Sequence, residues 1–231
     1  MSKRVSYSLL DPWLTMPLKR LYKTLSIPAA VPPEAIVATG HLFAIAGAVG
    51  FAYSSETVWG GAVAACGVAG NHTADVLDGT HARATNQCRH GGELLDHFVD
   101  PLSFAYWVAG LGASALQPSG AWLAVAGVVV IYATAVLTNI RAKMVGEFSL
   151  ARFGPTEFKS LLIAFALWQA ATCGSAGVET ATLAWRAAVF MVGLIAAGGV
   201  TLAWSLASAV REVNAKSVIA IDTTEWDQRG G

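Results

Sequence analysis

Six long apolar stretches dominate this sequence and leave few folds open to it. They run roughly over residues 34–54, 57–80, 93–115, 120–142, 156–176 and 185–211. Each is long enough to cross the hydrocarbon core of a bilayer as a helix, which takes about 20 residues. Because lipid offers no partner to backbone N–H and C=O groups, segments that cross it must satisfy them internally. The sequence therefore predicts an all-α polytopic membrane protein with six transmembrane helices.

The composition agrees with this fold class and excludes others. Only 13% of the residues are charged, 55% are hydrophobic and the formal net charge is zero. A disordered chain has more charge and less apolar mass. A nucleic-acid-binding protein normally carries a basic excess, so we expect no nucleic acid partner.

The basic residues predict the orientation of the six spans. Of the 15 lysines and arginines, 14 lie on one side of the predicted membrane, and only Arg186, at the start of the sixth span, lies on the opposite side. Lysine and arginine are enriched in the short loops on the cytoplasmic side of a membrane protein. We therefore expect both termini in the cytoplasm, in a bacterial inner membrane or an endoplasmic reticulum membrane. This divides the chain into a cytoplasmic or interfacial segment 1–33, a transmembrane domain 34–211 and a cytoplasmic tail 212–231.

The segment before the first span mixes apolar and basic residues. Trp13, Leu14 and Leu21 alternate with Lys19 and Arg20 within residues 8–25. This pattern predicts an amphipathic helix in the headgroup plane. The alternative is an irregular tether interrupted at its two prolines.

A cluster of carboxylates marks the candidate site. Five acids fall within residues 75–100, at the facing ends of the second and third spans: Asp75, Asp78, Glu93, Asp96 and Asp100. On each helix their spacing places them on one face. Aspartates that converge in this way repel one another unless cations lie between them. Oxygen ligands favour Mg²⁺, Mn²⁺ or Ca²⁺, and the number of carboxylates predicts two ions, an arrangement typical of phosphoryl transfer.

Small residues and an arginine accompany the carboxylates. Gly79, Ala82 and Gly92 remove side-chain bulk beside them. A bulky or phosphorylated ligand could then approach the backbone. Arg83 follows on the same helix and offers a forked set of donors to a phosphate.

The spacing of these residues resembles a known signature. The pattern D-x2-D-G-x2-A-R-x8-G-x3-D-x3-D is that of the CDP-alcohol phosphotransferases, also called CDP-alcohol phosphatidyltransferases. Here it is formed by Asp75, Asp78, Gly79, Ala82, Arg83, Gly92, Asp96 and Asp100. The resemblance implies that residues 34–211 form a catalytic domain that transfers a substituted phosphate from a CDP-linked donor to an alcohol and releases CMP.

The resemblance also implies roles for these residues. Asp75, Asp78 and Asp96 would hold two divalent cations, Mg²⁺ or Mn²⁺, with Asp100 as a further ligand or as a base. The CDP site would be lined by Gly79, Ala82, Arg83 and Gly92. Dimerisation with a second copy is implied as well.

A finer resemblance concerns the stretches GELLDH, residues 92–97, and ARATNQC, residues 82–88. Both are similar to the choline/ethanolamine phosphotransferase branch. This implies CDP-choline or CDP-ethanolamine as the donor, diacylglycerol as the acceptor and a role in phospholipid synthesis. In that branch His97 would be the base, oriented by Glu93. Pro101 departs from the branch, where we expect serine.

Two other functions compete with this interpretation. A related enzyme would use CDP-diacylglycerol as the donor and inositol, serine or glycerol phosphate as the acceptor. An ion transporter would use intramembrane carboxylates to bind ions as they cross the membrane, although here the acids cluster at one membrane face only.

The sequence leaves the positions of several polar side chains open. His81 and His90 are expected in a loop, facing solvent or headgroups. Glu157 could point toward the metals or toward the interface beside Lys159. Arg141 could hold a phosphate, or it could extend toward the interface as arginines at span ends commonly do.

Overall fold

Seven helices make up most of the described chain. The structure, a computed structural model, describes residues 3–6, 8–150 and 153–219. Arg152, Arg229 and most of the predicted tail lie outside the described residues. The helices are α1 (Thr15–Leu25), α2 (Pro33–Ala52), α3 (Val58–Ala84), α4 (His90–Ser114), α5 (Ser119–Val145), α6 (Pro155–Thr172) and α7 (Thr180–Lys216).

One helix lies at each of the six predicted spans, but several bounds differ. The α3 and α4 helices extend toward each other, so the connection between them is residues 85–89 rather than 81–92. Thr85 ends α3 and its hydroxyl donates to the carbonyl of His81. The α7 helix runs on to Lys216, past the predicted boundary at residue 211.

Three helices, α2, α5 and α7, are long and apolar enough to cross a membrane. In α5 and in α7, only 11% of the apolar 18-residue stretch that could cross the membrane is buried. Large side chains such as Trp122 and Trp204 are 73% and 77% exposed on these helices. Such apolar surface is suited to lipid, so the chain is a helical membrane protein. The remaining three helices carry the charges of the candidate site, which lowers their hydropathy, and the six-span topology stays a prediction.

The helices pack closely where small residues face each other. Gly47 of α2 lies against Gly67 of α3, and a methyl group on Gly67 would overlap the backbone of Gly47. Close backbone approach through small residues is typical of membrane helix pairs. Next to this contact, the buried indole of Trp107 donates to the carbonyl of Ala44 at 3.0 Å. This packing fixes α2, α3 and α4 relative to one another.

The N-terminal segment contains the predicted amphipathic helix in shortened form. Helix α1 begins at Thr15 and has no buried residue. Pro17 lies in its first turn, where the missing N–H costs no helical hydrogen bond. Large apolar side chains of this segment are exposed, namely Leu9, Trp13, Leu14, Met16, Leu21 and Leu25.

Two short strands were not predicted from the sequence. Strand β1 (Lys3–Ser6) pairs in parallel with β2 (Glu147–Leu150). The pairing holds the N-terminus beside the connection between α5 and α6, which places the segment before α1 near the start of α6.

Candidate active site

The predicted aspartates meet at one end of the helical bundle. Asp75 and Asp78 lie near the end of α3, and Asp96 and Asp100 lie near the start of α4. All four line one small cavity, together with Asn71 and residues of α2. Oxygens of Asp75, Asp78 and Asp96 lie within 4.8 Å of one another, close enough to share a metal ion.

A lysine that the sequence did not place in the site reaches two of these aspartates. Lys159 Nζ lies 2.8 Å from Asp75 Oδ2 and 3.6 Å from Asp100 Oδ1. Its side chain is only 1% exposed. The sequence signal was available, because a charge five residues into an apolar helix is costly and usually functional. Asp100 is thereby engaged by a cation of the protein itself.

Asn71 offers an acceptor at the wall of the same cavity. Its Nδ2 donates to the carbonyl of Gly40 at 3.2 Å, which fixes the orientation of the amide because that oxygen can only accept. Asn71 Oδ1 is buried and has no partner in the described part of the chain. A buried acceptor normally has a partner, and a metal ion or its bound water could supply one. An all-oxygen ligand set of carboxylates and one amide fits Mg²⁺ or Mn²⁺.

The predicted nucleotide-binding residues lie on the same two helices as the aspartates, Gly79, Ala82 and Arg83 on α3 and Gly92 on α4. Arg83 is exposed and folds back along α3, so that a methyl group on Gly79 would lie 3.3 Å from its Nη1. A methyl group on Gly92 would meet nothing within 4 Å. Ala82, which lies between Gly79 and Gly92 in the sequence, is half-buried. Open space thus remains at the start of α4, where the resemblance expects the CDP group.

The predicted base lies on α4 next to Asp96. His97 Nε2 is 3.9 Å from Glu93 Oε1, longer than the direct hydrogen bond that their spacing allows. The imidazole also packs against Phe148, with the ring centroids 4.8 Å apart. Both side chains of the pair are partly exposed.

His81 corrects the expectation that it faces solvent or headgroups. It lies inside α3 and is fully buried. Its Nε2 lies 2.8 Å from the carbonyl of Val31, and its Nδ1 lies 2.8 Å from the hydroxyl of Tyr22. Since the carbonyl can only accept, Nε2 donates to it, and Nδ1 shares a hydrogen bond with the Tyr22 hydroxyl. His81 therefore joins α3 to α1, whereas His90 is exposed as expected.

Glu157 takes neither of the two positions that the sequence left open. Its Oε1 accepts hydrogen bonds from the Ser8 hydroxyl at 2.6 Å and from the N–H groups of Leu9 and Leu10 at 2.8 and 3.1 Å. Its Oε2 accepts from the N–H of Gly154 at 2.9 Å. The carboxylate thus ties the N-terminal segment to the start of α6, two residues before Lys159.

Arg141 binds an acid of the chain itself. Its guanidinium donates from Nε to Glu212 Oε2 at 2.7 Å, and its Nη2 lies 2.6 Å from the same oxygen. This ion pair joins the ends of α5 and α7, and Arg141 stabilises that junction.

The fold and the site together define a helical membrane protein with a cluster of aspartates at one end of its bundle that could hold a metal ion. The family model for CDP-alcohol phosphatidyltransferase matches residues 33–197, from the start of α2 into α7. The match covers most of the chain, which therefore belongs to this family. A search of the curated proteins found no match.

Proposed function

We propose that this protein transfers phosphocholine or phosphoethanolamine from a CDP-alcohol to diacylglycerol and releases CMP. The observation that supports it best is the meeting of four aspartates from α3 and α4 around one cavity. Family membership supports the reaction class. The stretch GELLDH at the start of α4 supports the choice of donor.

The aspartates would bind two divalent cations, Mg²⁺ or Mn²⁺. Asp75, Asp78 and Asp96 have the spacing for shared ligation, and Asp100 lines the same cavity. When bound, such ions offset the negative charge that develops on a transferred phosphoryl group. Arg83, Gly79, Ala82 and Gly92 would hold the CDP portion, with the guanidinium of Arg83 against a phosphate.

His97 would accept the proton of the diacylglycerol hydroxyl. An imidazole can accept and return a proton near neutral pH, whereas the Asp100 carboxylate already lies 3.6 Å from Lys159 Nζ. Glu93 lies one turn before His97 and would favour the protonated ring once the proton has moved. Loss of turnover in His97→Ala with unchanged Mn²⁺ binding would support this assignment, because the base is not a metal ligand. Turnover within a few-fold of the wild type in His97→Ala would make Asp100 the better candidate.

The distribution of basic residues supports a specific membrane arrangement. We propose that α2 to α7 each cross the bilayer, that both termini and the cavity face the cytoplasm, and that α1 lies in the headgroup plane. The exposed apolar residues of α1 support its interfacial position. We also propose a homodimer, which rests on the family alone.

The test is a donor panel with purified protein in detergent and Mg²⁺. CMP released from CDP-choline or CDP-ethanolamine only when diacylglycerol is present is the expected result. CMP released from CDP-diacylglycerol with inositol, serine or glycerol phosphate would replace the proposal by the related reaction. No CMP from either donor class, together with cation flux in liposomes, would favour a transporter.

A further inference from the structure

We propose that Lys159 is a positioning residue of the active site, a fixed cation that orients Asp75 and Asp100 and sets the charge of the centre. The proposal rests on the function proposed above. Lys159 comes from α6, whereas the aspartates that it contacts come from α3 and α4. It therefore joins three helices at the cavity.

The geometry singles out one oxygen on each carboxylate. Nζ lies 2.8 Å from Asp75 Oδ2 and 3.6 Å from Asp100 Oδ1. An ammonium group holds its partners from fixed directions when its own side chain is immobile. Lys159 is 1% exposed and its ammonium lies 5.5 Å from the ring centroid of Phe104. The other oxygen of each aspartate is then left for a ligand in the cavity.

The position of α6 explains why the ammonium cannot move away. Two residues earlier, Glu157 accepts hydrogen bonds from Ser8, Leu9 and Leu10. Thr156 donates to Asp11 at 2.7 Å. These contacts hold the first turn of α6 against the N-terminal segment, and they hold Lys159 at the depth of the aspartates.

The charge of Lys159 matters for the donor. The charges of four ionised aspartates and two divalent cations sum to zero. Lys159 therefore gives the metal-bound centre one net positive charge. The diphosphate of a CDP-alcohol is an anion and favours a positive centre. Without Lys159 the aspartates would attract metal ions more strongly, because one repelling charge is gone. The donor would bind a neutral centre less well.

These effects have opposite signs, which makes the proposal testable. In Lys159→Met, measured by the electron paramagnetic resonance signal of free Mn²⁺, we expect Mn²⁺ to bind at least as tightly as in the wild type. CMP release should fall about 100-fold, the effect of misplacing catalytic groups by about 1 Å. Lys216→Met is the matched control, since Lys216 is 68% exposed at the end of α7, and it should retain both properties.

A parallel loss of Mn²⁺ binding and turnover in Lys159→Met would overturn the proposal, since Lys159 would then only hold the centre folded. Turnover close to the wild type would overturn it as well. If Lys159→Met does not yield folded protein, Lys159→Arg decides. Retained Mn²⁺ affinity with turnover within about tenfold of the wild type supports a role of the positive charge, and lost turnover at unchanged Mn²⁺ affinity contradicts it.

The proposed function can fail separately. If the wild type releases no CMP from either donor class, the reaction is wrong. The Mn²⁺ titration then tests by itself whether the charge of Lys159 repels the metal ions. Tighter or equal Mn²⁺ binding in Lys159→Met supports this repulsion, and weaker binding overturns it.

Discussion

Glu157 provides a direct test of how the N-terminal segment is held on the bundle. Its carboxylate accepts four hydrogen bonds, three from residues 8–10 and one from Gly154. The residue is 6% exposed. In Glu157→Ala all four bonds are lost, while the helix-forming propensity at this position is kept.

The size of the effect follows from the type of bond. A hydrogen bond to a charged group contributes about 1.5–3 kcal/mol to stability. Neighbouring bonds are not additive, and water replaces the partners of Leu9 and Leu10 once the segment opens. We therefore expect the free energy of local opening to fall by about 3 kcal/mol, the upper value for one such bond. This corresponds to roughly 100-fold more frequent opening, since about 1.4 kcal/mol is a factor of ten.

Hydrogen exchange of the peptide that contains residues 8–14 measures this opening in detergent or nanodiscs. We expect about 100-fold faster exchange in Glu157→Ala, with a smaller increase in Glu157→Gln, whose amide oxygen retains part of the bonding. Glu56→Gln, at an exposed position in the connection between α2 and α3, is the control and should change nothing. Exchange in Glu157→Ala within about threefold of the wild type would contradict this role of Glu157, because the carboxylate would then not hold the segment.

Two further substitutions test the packing and the contact between α1 and α3. Gly67→Ala places a methyl group into the backbone of Gly47, and overpacking of this kind costs about 1–3 kcal/mol. Its melting temperature should fall by several degrees, whereas Gly193→Ala, where an added methyl group meets nothing within 4 Å, should not lower it. His81→Leu removes both hydrogen bonds of the imidazole and leaves the carbonyl of Val31 without its donor, so proteolysis after Lys19 or Lys23 in α1 should accelerate. Tyr22→Phe removes only one of the two bonds and should show a smaller effect, while equal rates in all three proteins would contradict this role of His81.

The helices and the aspartates could be predicted because each depends on local pattern. A long apolar stretch must be helical in lipid, and the spacing of Asp75 and Asp78 places them on one face of any helix. Their approach to Asp96 follows once two consecutive helices are antiparallel. The short connection between α3 and α4 makes that arrangement the natural one.

The contacts that the sequence could not predict join residues far apart in the chain. Lys159 reaches Asp75 across 84 positions, and Glu157 binds Ser8 across 149. No local periodicity encodes such pairs, since they depend on how α6 packs against α3 and against the N-terminal segment. His81 was misplaced because the polar composition of residues 81–92 indicated a loop, whereas α3 continues through Ala84. The pairing of β1 with β2 could not be predicted either, because each strand is only four residues long and the two lie far apart in the chain.

In the proposed function, the aspartates of α3 and α4 form a metal centre for transfer from a CDP-alcohol. The most direct test is Mg²⁺-dependent CMP release from CDP-choline or CDP-ethanolamine by the wild type and by Asp78→Asn. Asp78 is the most buried of the metal candidates, at 8% exposure, and asparagine preserves its shape while removing its charge. We expect Mg²⁺-dependent release in the wild type and its loss in folded, membrane-inserted Asp78→Asn, with Asp75→Asn and Asp96→Asn behaving alike. Near-normal release in any one of the three would contradict the metal assignment.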